Sequence, residues 1–174
     1  ALPPLKMRRL LFPGLLLAGA LTLQAAVFNR LAIFDVAPDL ILVVVISIAL
    51  LQGPTAGALC GFGAGMLRDL LLGAPVGLGG LTYLLVGYGI GSVRCGVGGS
   101  GVSVSVVGTL VGSLFESALY VVLLALSGQP LAPASRVIQV VLVGSLYNPA
   151  LALLVHPAVR KMLAPPRREV AYRR

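Results

Sequence analysis

Charged side chains inside apolar segments are the first candidates for chemistry in this chain. Arg68 and Asp69 stand side by side at the end of one long apolar run, and Glu116 lies within another. Ionisable groups at membrane depth cost at least about 2.5–3.5 kcal/mol each on insertion scales, so they normally pair or line a polar cavity. Such a pair would act as a catalytic acid and base only with a nucleophile or a metal nearby.

The residues that would supply a nucleophile or a metal ligand are poorly placed for this. His156 is the only histidine, and it lies towards the end of the last apolar run, far from Glu116. The two cysteines lie in apolar surroundings, where small buried thiols are typical. Hydroxyls on apolar helices usually bond to a carbonyl one turn back, and this is the role expected of Ser47, Ser113 and Ser117. We therefore expect no catalytic residue, no metal site and no cofactor.

Glycines spaced four residues apart form stripes on three apolar segments. Small residues at this spacing let helix backbones approach closely where lipid supplies no hydrophobic drive to association. The stripes predict packing surfaces, mostly within this chain, although the spacing also allows a helix of another protein. They comprise Gly57, Gly61 and Gly65 before Asp69, Gly87 and Gly91 in the following segment, and Gly108 and Gly112 before Glu116.

The composition indicates what must position these residues. Hydrophobic residues make up 58% of the 174 residues, charged residues only 10%, and the mean hydropathy is +1.03. Soluble domains carry roughly 25% charged residues. Residues 40–67, 70–93 and 95–115 contain no charge, and each run could supply the roughly 20 residues of a membrane-spanning helix. The chain is therefore expected to be an all-α, polytopic integral membrane protein with one domain.

Six spans can be placed along the chain. We predict them at about 10–28, 39–51, 54–72, 76–93, 102–126 and 137–155. A basic head at 1–9 precedes the membrane domain at 10–157, and a basic tail at 158–174 follows it. Residues 1–6 are expected to be an addition ahead of a natural start at Met7. The head and first apolar run imitate a signal peptide, but the run is long enough to favour a retained helix.

The Gly53-Pro54 pair is either a turn between two spans or a kink within one. As a turn it gives six spans with both termini on one side, and ten of the 13 basic residues then share that side. Only Arg30, Arg68 and Arg136 then lie on the other side of the membrane. As a kink it would move Arg94 and the basic tail away from the N-terminal head. Because cytoplasmic loops collect lysine and arginine, the turn and two cytoplasmic termini are predicted.

The net charge of +8 belongs mainly to this cytoplasmic face. We interpret it as a topology signal and a contact for anionic lipid headgroups. Nucleic-acid binding would require basic residues interleaved with aromatics on a folded surface, and the proline-broken tail does not provide it.

The charged residues of two different spans fall at one height in this topology. Spans three and five both run outward, with Asp69 and Glu116 about 15 and about 14 residues from their starts, or roughly 21 Å along each helix. Glu116 is predicted to pair with Arg68, or to share a polar cluster with Arg68, Asp69, Tyr147 and Asn148. Two interpretations stay open: the cluster holds the helices together, or it senses a partner or ligand.

Two stretches carry recognisable motifs. Residues 38–88 contain Pro38-Asp39, the Gly53-Pro54 turn, GFxxGxxxD ending at Asp69, and GxPxG from Gly73 to Gly77. Residues 146–157 read LYNPALALLVHP and include Tyr147 and Asn148. Together with the basic start and six-span plan, these stretches resemble MreD, the bacterial rod shape-determining membrane protein family.

The resemblance implies more than the residues show by themselves. MreD-like proteins are non-enzymatic parts of the elongation machinery in the bacterial cytoplasmic (inner) membrane. Their fold is similar to the substrate-binding S-components of energy-coupling-factor transporters. The resemblance implies a scaffold that binds the transmembrane helix and extracytoplasmic domain of MreC. Through MreC it would act on RodA, a class B penicillin-binding protein and MreB, and so help control peptidoglycan synthesis and cell shape.

A transporter subunit that binds a small molecule is the alternative. It would need polar or aromatic groups that converge on an outer cavity, and the chain has no tryptophan and few polar residues in its spans. A channel would need a polar stripe along a whole span, which is not present. The scaffold is therefore the leading hypothesis.

Overall fold

The arrangement of the helices comes from a computed structural model that describes residues 14–24, 36–97 and 101–163, without the side chains of 94–97. These residues form six α-helices and no β-strand, which confirms the all-α prediction. The helices are α1 (Gly14–Gln24), α2 (Leu40–Gln52), α3 (Pro54–Leu72), α4 (Leu78–Val97), α5 (Val102–Leu126) and α6 (Ala134–Leu163). The basic head, both ends of the predicted first span (10–13 and 25–28), Arg30, the last part of the tail and the side chain of Arg94 lie outside the described residues.

Two of the described helices, α5 and α6, are long and apolar enough to cross a membrane by length and composition. The apolar helices α1 and α2 and the Leu78–Val93 part of α4 are shorter. The short α2 is nevertheless the centre of the bundle. Every residue from Leu40 to Leu50 is buried, and α2 contacts α3, α4, α5 and α6. A helix that is apolar all round is typical of such a position, because protein surrounds it on every side.

The break at Gly53 joins α2 and α3 as a hairpin. Gly53 has φ +97°, a region that favours glycine, and Pro54 occupies the first turn of α3, where its missing N–H costs nothing. Asp39, just before α2, lies 3.5 Å from Arg68 near the end of α3. Residues at the two far ends of the pair therefore meet, as in an antiparallel hairpin.

Two predicted spans differ by more than one residue from the helices observed. The fourth span was expected from residue 76, but α4 begins at Leu78 because Gly77 has φ +105° and cannot continue a right-handed helix. The last span was expected at 137–155, whereas α6 covers Ala134–Leu163 and includes Pro149 and Pro157. Prolines are tolerated within membrane helices because neighbouring groups re-satisfy the freed carbonyls.

Candidate functional site

Asp39 is the centre of a polar cluster at the start of α2. Its Oδ1 accepts a hydrogen bond from the Leu42 backbone N–H (3.0 Å), so Asp39 caps the helix. Its Oδ2 accepts a hydrogen bond from the Tyr83 hydroxyl and lies 3.5 Å from Nη2 of Arg68. Asp39 therefore connects α2 to α3 and α4 through one carboxylate.

Arg68 connects this centre to α5. Its Nη1 lies 3.9 Å from Oε1 of Glu116, and its guanidinium carbon lies 5.5 Å from the centroid of the Tyr83 ring. The second distance is within the range of a cation–π contact. The structure thus places Arg68 and Glu116 next to each other, with the Arg68 side chain 27% exposed and the Glu116 side chain 10% exposed.

Two amides attach further helices to the start of α2. Asn148 of α6 accepts a hydrogen bond from the Asp39 N–H (2.8 Å) and donates one to Oγ of Ser113 in α5 (3.0 Å). Gln24 of α1 donates to the Pro38 carbonyl (2.7 Å) and accepts from the Leu40 N–H (2.8 Å). Backbone groups that α2 itself leaves unpaired are in this way satisfied by its neighbours.

Asp69 makes contacts of a different kind, although it follows Arg68 directly. Its Oδ2 accepts hydrogen bonds from the N–H groups of Gly77 and Gly79, both at 2.9 Å, and the residue is only 1% exposed. These bonds join the end of α3 to the start of α4. A Cβ at Gly79 would collide with the carboxylate. Asp69 is therefore part of the α3–α4 turn. Tyr147, the other residue predicted for the cluster, lies beside Asn148 and is half-buried on α6.

The predicted glycine stripes face helices of this chain. A Cβ at Gly57 would meet the Gly87 backbone, one at Gly61 the Tyr83 carbonyl and one at Gly65 the Gly79 carbonyl. The two helices α3 and α4 accordingly form the most extensive contact among the described elements. The other stripe residues also meet neighbours within the chain: Gly91 lies against Pro54, Gly112 against Ile46 and Val86, and Gly108 more loosely against Ile90 and Leu50.

A cavity of about 350 Å³ lies beside the polar cluster. Gln24, Asp39 and Arg68 form its polar wall. The apolar walls come from α1, α2, α3, α6 and the segment before α2, and include Leu21, Leu71, Leu72 and Val140. Leu71 and Leu72 are 64% and 63% exposed, so the cavity has an accessible rim.

The remaining buried polar groups in the part of the chain that is described include one histidine and several hydroxyls. Within residues 14–24, 36–97 and 101–163, no three His, Cys, Asp or Glu side chains are grouped so that they could hold a metal ion. His156 is fully buried in α6. Ser47 was expected to bond to a carbonyl one turn back, but this prediction is wrong, because its buried hydroxyl has no hydrogen-bond partner among protein atoms. The same is true of the buried hydroxyls of Ser105, Thr109 and Ser145. Within these residues the polar cluster and its cavity are the best candidate for a functional site.

A family model described as rod shape-determining protein MreD matches residues 6–164. The chain belongs to the MreD family. The resemblance noted from the motifs is thereby confirmed, and with it a membrane protein with a role in rod shape determination. Comparisons with curated proteins and with solved structures give no match.

Several residues of the polar cluster were not predicted from the sequence to take part in it. Asp39 was noted only as part of a motif, although aspartate before an apolar helix is a helix-capping signal. Tyr83 and Ser113 looked like ordinary residues of apolar helices. Gln24 was a single amide near the end of the first span, and no pattern in the sequence distinguished it.

Proposed function

We propose that this MreD-family protein is a non-enzymatic membrane scaffold that binds MreC and thereby helps control peptidoglycan synthesis during cell elongation. The observation that carries the proposal is the contrast between two surfaces. The glycine stripes, which could have received a foreign helix, are occupied by helices of the same chain. The charged cluster instead borders a cavity with an exposed apolar rim.

The proposal includes a six-span topology in the bacterial inner membrane, with both termini in the cytoplasm. The distribution of basic residues supports it, and the hairpin at Gly53 supports it as well. In this topology the start of α2 and the end of α3 lie towards the extracytoplasmic side, and the cavity opens there. The similarity to transporter S-components stays a prediction of the family resemblance.

The chemistry of the cavity suits a segment of a membrane-anchored partner. Its walls are mainly apolar, and its polar side chains are those of Gln24, Asp39 and Arg68. Sites of this type use apolar contact for affinity and a few placed polar groups for orientation. MreC, with one transmembrane helix and an extracytoplasmic domain, would bring the chain next to its membrane into this region. RodA, the class B penicillin-binding protein and MreB would then be reached indirectly through MreC.

The cytoplasmic side has a separate role in the proposal. Arg160 and Lys161 lie in the last turn of α6, and the basic tail follows them in the sequence. These residues would contact anionic lipid headgroups, with each basic side chain near the surface worth about 1 kcal/mol.

The experiment fills the cavity without altering the charged cluster. Leu72→Trp narrows the cavity, and Leu70→Trp is the matched control because Leu70 is 61% exposed and is not among the cavity-lining residues. We expect Leu72→Trp to reduce co-purification of MreC from detergent at least about tenfold, the effect of roughly 1.4 kcal/mol. Leu70→Trp should retain wild-type binding. Equal MreC recovery with both variants would contradict docking in the cavity.

A small-molecule-binding subunit of a transporter is the second candidate, because the cavity volume of about 350 Å³ lies in the range of ligand pockets. Purification of the wild-type protein and of Leu72→Trp from detergent distinguishes a binding subunit from a scaffold. A binding subunit would retain a small molecule in detergent and lose it in Leu72→Trp, whereas a scaffold recovers MreC and no stoichiometric ligand.

A further inference from the structure

The polar cluster carries more negative than positive charge. Arg68 provides one guanidinium, and the two acidic side chains beside it are Asp39 and Glu116. Their other contacts come from uncharged groups: the Tyr83 hydroxyl and Leu42 N–H for Asp39, and the Ser117 hydroxyl at 3.3 Å for Glu116. The nearby carboxylate of Asp69 accepts hydrogen bonds from two uncharged backbone N–H groups. It therefore does not offset the negative charge of Asp39 and Glu116.

The single arginine does not engage either carboxylate closely. Its two nitrogen–oxygen distances are 3.5 and 3.9 Å, whereas charge-assisted hydrogen bonds are about 2.7–2.9 Å long. One guanidinium is therefore shared loosely between two carboxylates. Attraction between opposite charges is much stronger in such surroundings than in water, so the cluster favours a further positive charge.

The cavity gives such a charge a route to the cluster. Asp39 lines it, and apolar side chains of α1, α3 and α6 form walls along which the methylene stem of a long basic side chain can pack. Arg68 also lines the cavity, whereas Glu116 lies behind it, with Oε1 3.9 Å from Nη1 of Arg68. The carboxylate that an entering basic group meets first is therefore Asp39.

We propose that this cavity selects a positively charged group, and that a lysine or arginine of the MreC segment supplies it. The identity of the partner rests on the function proposed above, whereas the preference for a cation rests on the charges of this chain alone. The basic side chain enters between α1 and α3 and pairs with Asp39, which lines the cavity and which Arg68 leaves incompletely neutralised. Glu116, behind Arg68, adds negative charge to the same cluster.

The preference for a cation is tested without any partner. Leu71→Lys places an ammonium on the cavity wall, and Leu70→Lys places one on the adjacent residue outside it. The two leucines are 64% and 61% exposed, so the cost of placing lysine in lipid is similar. We expect Leu71→Lys to unfold about 2–4 °C above Leu70→Lys in detergent. Equal midpoints, or a lower midpoint for Leu71→Lys, would overturn the proposal.

A double-mutant cycle shows whether the carboxylates cause this difference. In a Glu116→Gln background the surplus charge is gone, so the advantage of Leu71→Lys over Leu70→Lys should shrink or vanish. An advantage of the same size in both backgrounds would also overturn the proposal. If Glu116→Gln alone fails to fold, the two lysine variants in the wild-type background still decide the outcome.

The partner is tested separately with purified MreC. Glu116→Gln is expected to weaken MreC binding about tenfold, by removing part of the charge that the basic side chain meets. Raising the salt concentration should weaken wild-type binding more than binding by this variant. Unchanged affinity and salt dependence would refute a basic MreC side chain. Absence of MreC binding by the wild-type protein would instead refute the proposed function and leave the lysine comparison valid.

Discussion

Replacing Gly61 by alanine places a methyl group against the backbone of α4, where nothing can rotate away. The new Cβ would collide with the carbonyl oxygen of Tyr83 and lie 2.7 Å from its carbonyl carbon and 3.1 Å from the Leu84 nitrogen. Ordinary contacts begin near 3.4 Å, so the two helices must separate by roughly 1 Å to relieve the collision with the carbonyl oxygen. A gap of about 0.5–1 Å forfeits a quarter to a half of each dispersion contact it opens.

The loss of stability caused by Gly61→Ala depends on the length of the glycine stripe on α3. Gly57 and Gly65 make equally close approaches to α4, so separation at Gly61 also loosens packing on either side of it. Overpacking of a core typically costs about 1–3 kcal/mol, and the rigid backbone here places Gly61→Ala near the upper limit. The unfolding midpoint should fall by about 5–10 °C for a chain of this size.

Gly63→Ala is the matched control for this prediction. Gly63 lies on the exposed side of the same helix, and a Cβ there would meet no atom within 4 Å. Alanine is favoured over glycine in a helix by about 0.8–1.0 kcal/mol, so this variant should unfold at the wild-type temperature or slightly above it. The measurement is thermal unfolding in detergent followed by far-UV circular dichroism. If both variants lowered the midpoint equally, close α3–α4 packing would not explain the stripe.

Two further predictions concern Asp69 and Gln24, which do not belong to the Arg68–Glu116 pair. Asp69→Ala leaves the N–H groups of Gly77 and Gly79 without their acceptor and should cost about 1–3 kcal/mol in unfolding free energy. The MreC binding proposed above should be unaffected in the protein that remains folded, and a selective loss of that binding would contradict a purely structural role for Asp69. Gln24→Leu keeps the approximate size of the side chain but leaves the Pro38 carbonyl and the Leu40 N–H, at the start of α2, without their partner. A similar decrease in the free energy of unfolding is therefore expected, measured by denaturant titration. Thr22→Val is its control, because the Thr22 hydroxyl is exposed and bonds only to carbonyls of its own helix.

Much of the fold was predictable because its signals are local. Charge-free runs long enough for membrane helices indicated the apolar segments, and the Gly53-Pro54 pair marked the break between α2 and α3. Glycines four residues apart indicated faces of close packing, and in the structure those faces meet neighbouring helices. The equal heights of Arg68 and Glu116 followed from counting residues along two helices with the same direction, and the two side chains are 3.9 Å apart.

The centre of the site was less predictable, because its contacts join distant parts of the chain. Asp39 is 44 positions from Tyr83 and 109 positions from Asn148. Periodicity describes which face of a helix is apolar, but it does not specify which helix lies opposite or how each helix is rotated. The separation of Asp69 from Arg68 illustrates the limit: adjacent residues on a helix point about 100° apart, so one enters the cluster and the other binds the start of α4.

The amino-acid sequence by itself determined that this is a helical membrane protein with packing faces rich in glycine and with rare charges that must be neutralised. Both properties follow from the free energy of placing each residue in lipid, which depends on residue type and spacing. Only the tertiary structure decided that Asp39 is the common partner, that Gln24 and Asn148 complete the start of α2, and that a cavity lies beside one arginine and two carboxylates. These features depend on how the neighbouring helices pack around α2, and packing is a property of the whole chain.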